Sequence, residues 1–146
     1  MNDLITYILF FLILVIVLSA IFTKLTSRKI KRSIPKFGKT TVLQDAEIHW
    51  YESGQGAPII MLHGLAGNLR NFTYALVGKL DQDYRVIAID RAGCGWSTRS
   101  KSECATLQEQ ARIISEFIDK EQIKKPLIVG HSLGGAIALA LALEYK

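Results

Sequence analysis

The sequence predicts an α/β protein: a mostly parallel sheet with helices on both faces, preceded by one transmembrane helix. Three observations carry that expectation. Leu4 to Phe22 is a nineteen-residue apolar run without a charge. Beyond it, short continuous apolar runs (IIML, RVIAI, LIV) alternate with longer stretches of helical period, the pattern of buried parallel strands joined by helices. Each of the three runs is followed at once by a glycine-containing turn with polar side chains. Ligands bind at such strand ends in open α/β sheets.

The elements follow in order. At 1.5 Å per residue, Leu4 to Phe22 spans roughly 28 Å, the thickness of a bilayer core. A cleavable signal peptide fits less well, because no Lys or Arg precedes the run and no A-x-A site follows. Residues 1–23 are therefore expected to form a transmembrane anchor and 24–40 a basic juxtamembrane linker. Residues 41–146 form the α/β domain. Thr40 to Gly54 reads as an opening antiparallel hairpin and Ala57 to Gly64 as a central strand. Asn68 to Leu80 reads as a helix with Phe72, Leu76 and Leu80 near one face. Tyr84 to Asp90 is a second buried strand, and Arg91 to Ser97 a glycine-rich turn. An amphipathic helix over Thr106 to Gln122 follows, then the strand Pro126 to Gly130 and the helix Leu133 to Tyr145.

The formal charge of +5 is localised. Seven positive residues, Lys24, Arg28, Lys29, Lys31, Arg32, Lys36 and Lys39, occur without an intervening acid, and the remainder is slightly acidic. A nucleic-acid-binding domain would carry its basic surface on the folded part, so no nucleic acid is expected as partner. A basic flank directly after an apolar helix stays in the cytoplasm, which predicts a single-pass membrane protein with a cytoplasmic folded part. The bilayer is then the partner of residues 4–22. Cys94 and Cys104 have no metal-ligand spacing and are read as free thiols. No metal site and no cofactor-binding pattern is expected.

Gly130-His131-Ser132-Leu133-Gly134 matches G-x-S-x-G between a strand and a helix. That context is the nucleophile elbow, in which glycines allow a sharp turn and the helix N-terminus offers free N–H groups. An ordinary glycine-rich turn is the simpler alternative. Three motifs, MLHGLAG, DRAGCGWS and VGHSLGG, stand in the order and at the spacing that resemble the α/β-hydrolase superfamily. The likeness extends from about Thr41 to Lys146, and DRAGCGWS resembles in particular esterase, lipase and serine-peptidase members, some of them tethered by an N-terminal helix.

The resemblance implies Ser132 as nucleophile, and the backbone N–H groups of Leu65 and Leu133 as the oxyanion hole. Gly64, Gly130 and Gly134 support the turns. It implies that His63 steadies the oxyanion loop rather than acting as base, and that Asp90 holds the DRAGCGWS turn. His131 is the variable position of the elbow, and His49 is expected at the surface of the hairpin. Serine rather than aspartate as nucleophile points to ester, thioester or amide hydrolysis through an acyl-enzyme, of small and lipophilic acyl substrates.

In this superfamily the acid and the histidine follow the nucleophile. After Ser132 the sequence contains Glu144 as its one acid and no histidine. The expectation is the N-terminal portion of an α/β-hydrolase fold, inactive by itself, with three further strands and both partners lying elsewhere. Its strand Leu127 to Val129 would be an apolar sheet edge. A second chain supplying those strands, or a membrane-tethered binding protein of hydrolase ancestry, are the alternatives.

Overall fold

The computed structural model describes residues 2–100 and 105–145. The chain divides into two compact units, Met1–Lys36 and Phe37–Lys146.

The first unit is one helix, α1 (Asn2–Ser33). It is long and apolar enough to cross a membrane, with mean hydropathy 3.0 in its most apolar window. An N-terminal signal sequence also meets that criterion of length and composition. The helix does not stop at the apolar boundary but continues through the basic segment to Ser33. Nothing in that segment breaks a helix before Pro35, whose ring disfavours helical backbone in the residue before it. The Ser33 hydroxyl donates to Lys29 O at 3.0 Å in the final turn.

The second unit is a five-stranded sheet in the order β1-β2-β4-β3-β5. Its strands are β1 (Lys39–Val42), β2 (Glu47–Ser53), β3 (Ala57–Leu62), β4 (Tyr84–Ile89) and β5 (Leu127–Gly130). The opening hairpin β1–β2 is antiparallel and pairs β4 antiparallel, whereas β3, β4 and β5 run parallel. One row of partners, Lys39–Trp50–Ile89–Leu62–Gly130, crosses all five strands.

Alternation along the strands supplies a core on each face. Ile60, Leu62, Ile87 and Ile89 join Ile48 and Trp50 beneath two helices, α4 (Leu107–Lys120) and α5 (Leu133–Glu144). Ile59, Met61, Val86 and Ala88 face the other way, under α2 (Arg70–Thr73) and α3 (Val77–Leu80). Thr106 caps α4, its side chain accepting from the Glu109 N–H at 3.2 Å, a Thr-x-x-Glu start. Arg112 of α4 reaches Asp45 in the hairpin turn at 2.8 Å and also pairs Glu109 and Glu116.

The single helix expected over Asn68 to Leu80 is two short ones. Leu69, Phe72 and Val77 are the buried residues, while Leu76 is 39% exposed. Phe72 and Val77 are five residues apart, about 140° around a continuous helix. A break at Tyr74–Leu76 turns both toward the sheet.

Candidate active site

The three motif turns meet at the carboxyl ends of β3, β4 and β5. The His131 N–H donates to Leu62 O at 2.9 Å, carrying the β3–β5 pairing to the brink of the turn. Ser132 follows with φ 52° and ψ −118°, a left-handed backbone that a non-glycine residue adopts only under constraint. Close packing supplies the constraint. A side chain at Gly134 would run into the Leu62 carbonyl, and one at Gly130 into Gly134. Glycine at both positions lets helix α5 start directly against the end of β3.

The Ser132 side chain is exposed, makes no capping bond, and has no hydrogen-bond partner among the described residues. Gly64 abuts it, since a Cβ there would lie 3.2 Å from Ser132 Cβ and 3.1 Å from His131 Nδ1. Neither the Leu65 nor the Leu133 N–H has an acceptor among the described residues. The Ser132 turn and the turn of Gly64 and Leu65 thus meet at Gly64, each carrying an amide N–H without an acceptor among the described residues.

His63 is buried beneath this surface. Its Nδ1 donates to Gly64 O at 2.8 Å, and its Nε2 accepts the Arg91 N–H at 3.1 Å. Burial holds His63 below its usual range; the Gly64 bond opposes that and the neighbouring Arg91 guanidinium reinforces it. Arg91 Nε and Nη2 donate to the carbonyls of His63 and Gly64 at 2.8 and 2.9 Å. Both carbonyls are thereby held toward Arg91. Burial in turn lowers the Arg91 guanidinium from its ordinary value.

Asp90 organises the neighbouring turn. Its carboxylate accepts the Leu69 N–H at 2.7 Å and the Trp96 N–H at 2.9 Å, and meets His49 Nδ1 at 2.8 Å. Its main-chain oxygen accepts the Ser97 hydroxyl at 2.6 Å. Gly95, at φ 53°, leaves room for the carboxylate where any Cβ would collide with it.

His49 corrects the surface placement expected for it. It is 1% exposed, between Asp90 and Phe37 O, the latter 2.6 Å from Nε2. The hairpin strand β2 is covered on both faces, so the polar face read from the sequence is interior. Arg91 and Ser97 are site residues that sequence reasoning did not single out; their place in the turn after β4 was the available signal. Cys94 is a half-buried free thiol, and Cys104 lies outside the described residues. A cleft of about 620 Å³ among α4, β5 and α5 is lined by none of the motif residues.

The family model for the alpha/beta hydrolase fold matches residues 57–146. A 2-hydroxy-6-oxo-6-phenylhexa-2,4-dienoate hydrolase of Comamonas testosteroni is 37% identical over 120 residues, covering 75% of this chain and 40% of the relative. Haloalkane dehalogenase 2 of Mycobacterium bovis is 34% identical over 98 residues, covering 66% and 34%. Among solved structures, an N-acyl homoserine lactonase complexed with N-butanoyl homoserine superimposes with a TM-score of 0.69 at 29% identity, covering 73% of this chain and 40% of that one. The chain thus spans 40% or less of the length of these two curated relatives. With the family's match covering more than half the chain, and with the sheet order and strand-end turns in place, the protein belongs to the alpha/beta hydrolase fold family.

Proposed function

We propose that this protein is the nucleophile-bearing part of a membrane-anchored serine hydrolase acting on carboxylic esters or related acyl substrates of lipophilic character. The observation that carries the reading is the constrained backbone of Ser132, whose hydroxyl, like the N–H groups of Leu65 and Leu133, has no partner among the described residues.

On this reading Ser132 Oγ attacks the acyl carbon, and the carbonyl oxygen takes up negative charge toward those two N–H groups. Each such donor is typically worth a factor of about 10² to 10³ in rate. The bond to the alcohol then breaks, the serine proton reaching the alcohol by way of a histidine base. Water releases the acid and restores the serine. His63 and His49 have both ring nitrogens engaged and Asp90 is occupied by its turn, so none of the three supplies the base or the acid on this reading. The lactonase is named for a lactone, a cyclic carboxylic ester, whereas the dehalogenase and the dienoate hydrolase are named for other substrates. Residues 1–23 supply the membrane anchor, residues 24–40 the basic flank and residues 41–146 the hydrolase portion, with the folded part in the cytoplasm.

A serine-directed fluorophosphonate applied to the protein in its native membrane tests the assignment. Labelling abolished by Ser132→Ala supports it. Absence of labelling leaves a tethered, non-enzymatic member of the family. Digestion of the folded part by protease added outside intact cells would refute the cytoplasmic placement.

A further inference from the structure

The peptide between Gly64 and Leu65 is held from one side. Its carbonyl oxygen accepts His63 Nδ1 at 2.8 Å, Arg91 Nη2 at 2.9 Å and the Gly67 N–H at 3.3 Å. Arg91 Nε fixes the preceding carbonyl, that of His63, at 2.8 Å. No cis peptide bond occurs among the described residues, and in a planar trans peptide the N–H points opposite to the C=O. With its oxygen drawn to buried His63 and Arg91, the peptide therefore turns the Leu65 N–H the other way. That N–H has no acceptor among the described residues.

Arg91 acts on the Gly64 oxygen twice. Its guanidinium bonds to it directly, and its main-chain N–H donates to His63 Nε2 at 3.1 Å. The second bond leaves the ring proton on Nδ1, which makes the histidine a donor to the same oxygen.

The guanidinium also brings a charge. Arg91 is 4% exposed, and no carboxylate among the described residues pairs with it. The carboxylate of Asp90, its neighbour in sequence, is committed to His49 and to the N–H groups of Leu69 and Trp96. Buried cations ordinarily have an acid partner; this one has carbonyl oxygens. Its field is weakly screened at that depth, and a hydrogen bond to a peptide oxygen polarises the same peptide's N–H into a stronger donor. Both effects favour negative charge in front of the Leu65 N–H.

We propose that Arg91 is the positioning residue of the oxyanion site. Through the carbonyls of His63 and Gly64 it aims the Leu65 N–H, and its charge behind that peptide strengthens the donor toward an oxygen that becomes anionic. The proposal rests on reading Ser132 as the nucleophile and Leu65 as an oxyanion donor. It adds a residue that acts through the peptide rather than by contact with substrate.

The test labels Ser132, in the protein's native membrane, with two probes of one shape. One is a fluorophosphonate; in the other, sulfur, a weak acceptor, replaces the phosphoryl oxygen. The maximal labelling rate and the half-saturating probe concentration are measured for the native protein, Arg91→Lys and Arg91→Gln. Lysine keeps the charge without the rigid two-pronged fork, and glutamine has neither. With an oxyanion donor worth a factor of about 10² to 10³, its partial loss should slow the fluorophosphonate about three-fold or more in Arg91→Lys and about ten-fold or more in Arg91→Gln. The half-saturating concentration should stay as in the native protein.

The ratio of oxygen-probe to sulfur-probe rates separates this role from a merely structural one. It should shrink in both variants, most in Arg91→Gln, because the oxygen probe alone depends on strong donors at the site. A general loosening of the fold would lower the fraction of protein that labels, or slow both probes alike, and leave the ratio unchanged. An unchanged ratio, or a native rate in a folded variant, would overturn the proposal while Ser132 remains a nucleophile. Should Arg91→Gln not fold, the ratio in Arg91→Lys decides. Failure of the native protein to label with either probe would remove the nucleophile reading, and this inference with it.

Discussion

At the scale of single residues, the site is an economy of backbone groups, and the glycines and buried polar side chains set its tolerance. Gly134→Ala should cost about 1–3 kcal/mol, because its methyl would meet the Leu62 carbonyl rather than a movable side chain. Urea titration checks this, and a loss under 0.5 kcal/mol would show that the α5–β3 contact can relax. Asp90→Ala strands His49 Nδ1 and two N–H groups in a buried turn. At about 1–3 kcal/mol for each group left unmade, the expected loss exceeds roughly 3 kcal/mol. His63 gives a pH dependence. Its pKa is lowered in the fold, so near and below the ordinary value of about 6.5 the unfolded chain binds the extra proton. Stability should therefore be fully present above pH 6.5 and decline as pH falls toward the lowered folded value. Unfolding midpoints measured from pH 7 to pH 5 should show this slope flattened in His63→Gln. Ser132, Gly130, Gly134, His63 and Asp90 were all legible as a pattern in the sequence. His49 was not, since its partner lies 41 positions away and nothing local in EIHWYE says that both faces of the strand are covered.

At the scale of elements, the sequence pattern located the described strands but misjudged the helix over Asn68 to Leu80. The reason is visible in the residues. Leu107, Ile114, Phe117 and Ile118 repeat at helical spacing through α4, and Thr106 supplies its cap, so local preference and burial agree. Between Leu69 and Leu80 they disagree: Phe72 and Val77 both have to reach the sheet, and no uninterrupted helix allows it. The basic segment after α1 posed the opposite problem. Its charge suggested a linker, but lysine and arginine are good helix formers, and the helix runs on until the chain nears Pro35. Packing of α4 on the sheet depends on the edge-on contact of Phe117 with Trp50, ring centres 5.4 Å apart. Phe117→Ala should destabilise the folded unit by about 3–5 kcal/mol, read by thermal or denaturant unfolding. A change near 1 kcal/mol would mean that the cavity collapses freely.

At the scale of the whole molecule, the sheet is graded from a sealed centre to a partly open margin. Residues Val86 to Ile89 of β4 are fully buried, whereas Leu127 of β5 is 60% exposed and its neighbours in the strand are half-buried. Hydrogen exchange of this chain should accordingly show β4 amides protected to near the global unfolding limit, and β5 amides exchanging by lower-energy local opening. Matching protection in both strands would contradict the gradient. The strand order has a further consequence when set against the direction of protein synthesis. β1 to β4 lie within residues 39–89, are four adjacent strands in the order β1-β2-β4-β3, and are all synthesised before Leu127. β5 then adds to the free side of β3, and the Leu62 carbonyl that will brace the elbow is waiting there. The strained serine thus follows the four strands on which its turn leans, and an error in those strands would leave no surface on which to form it.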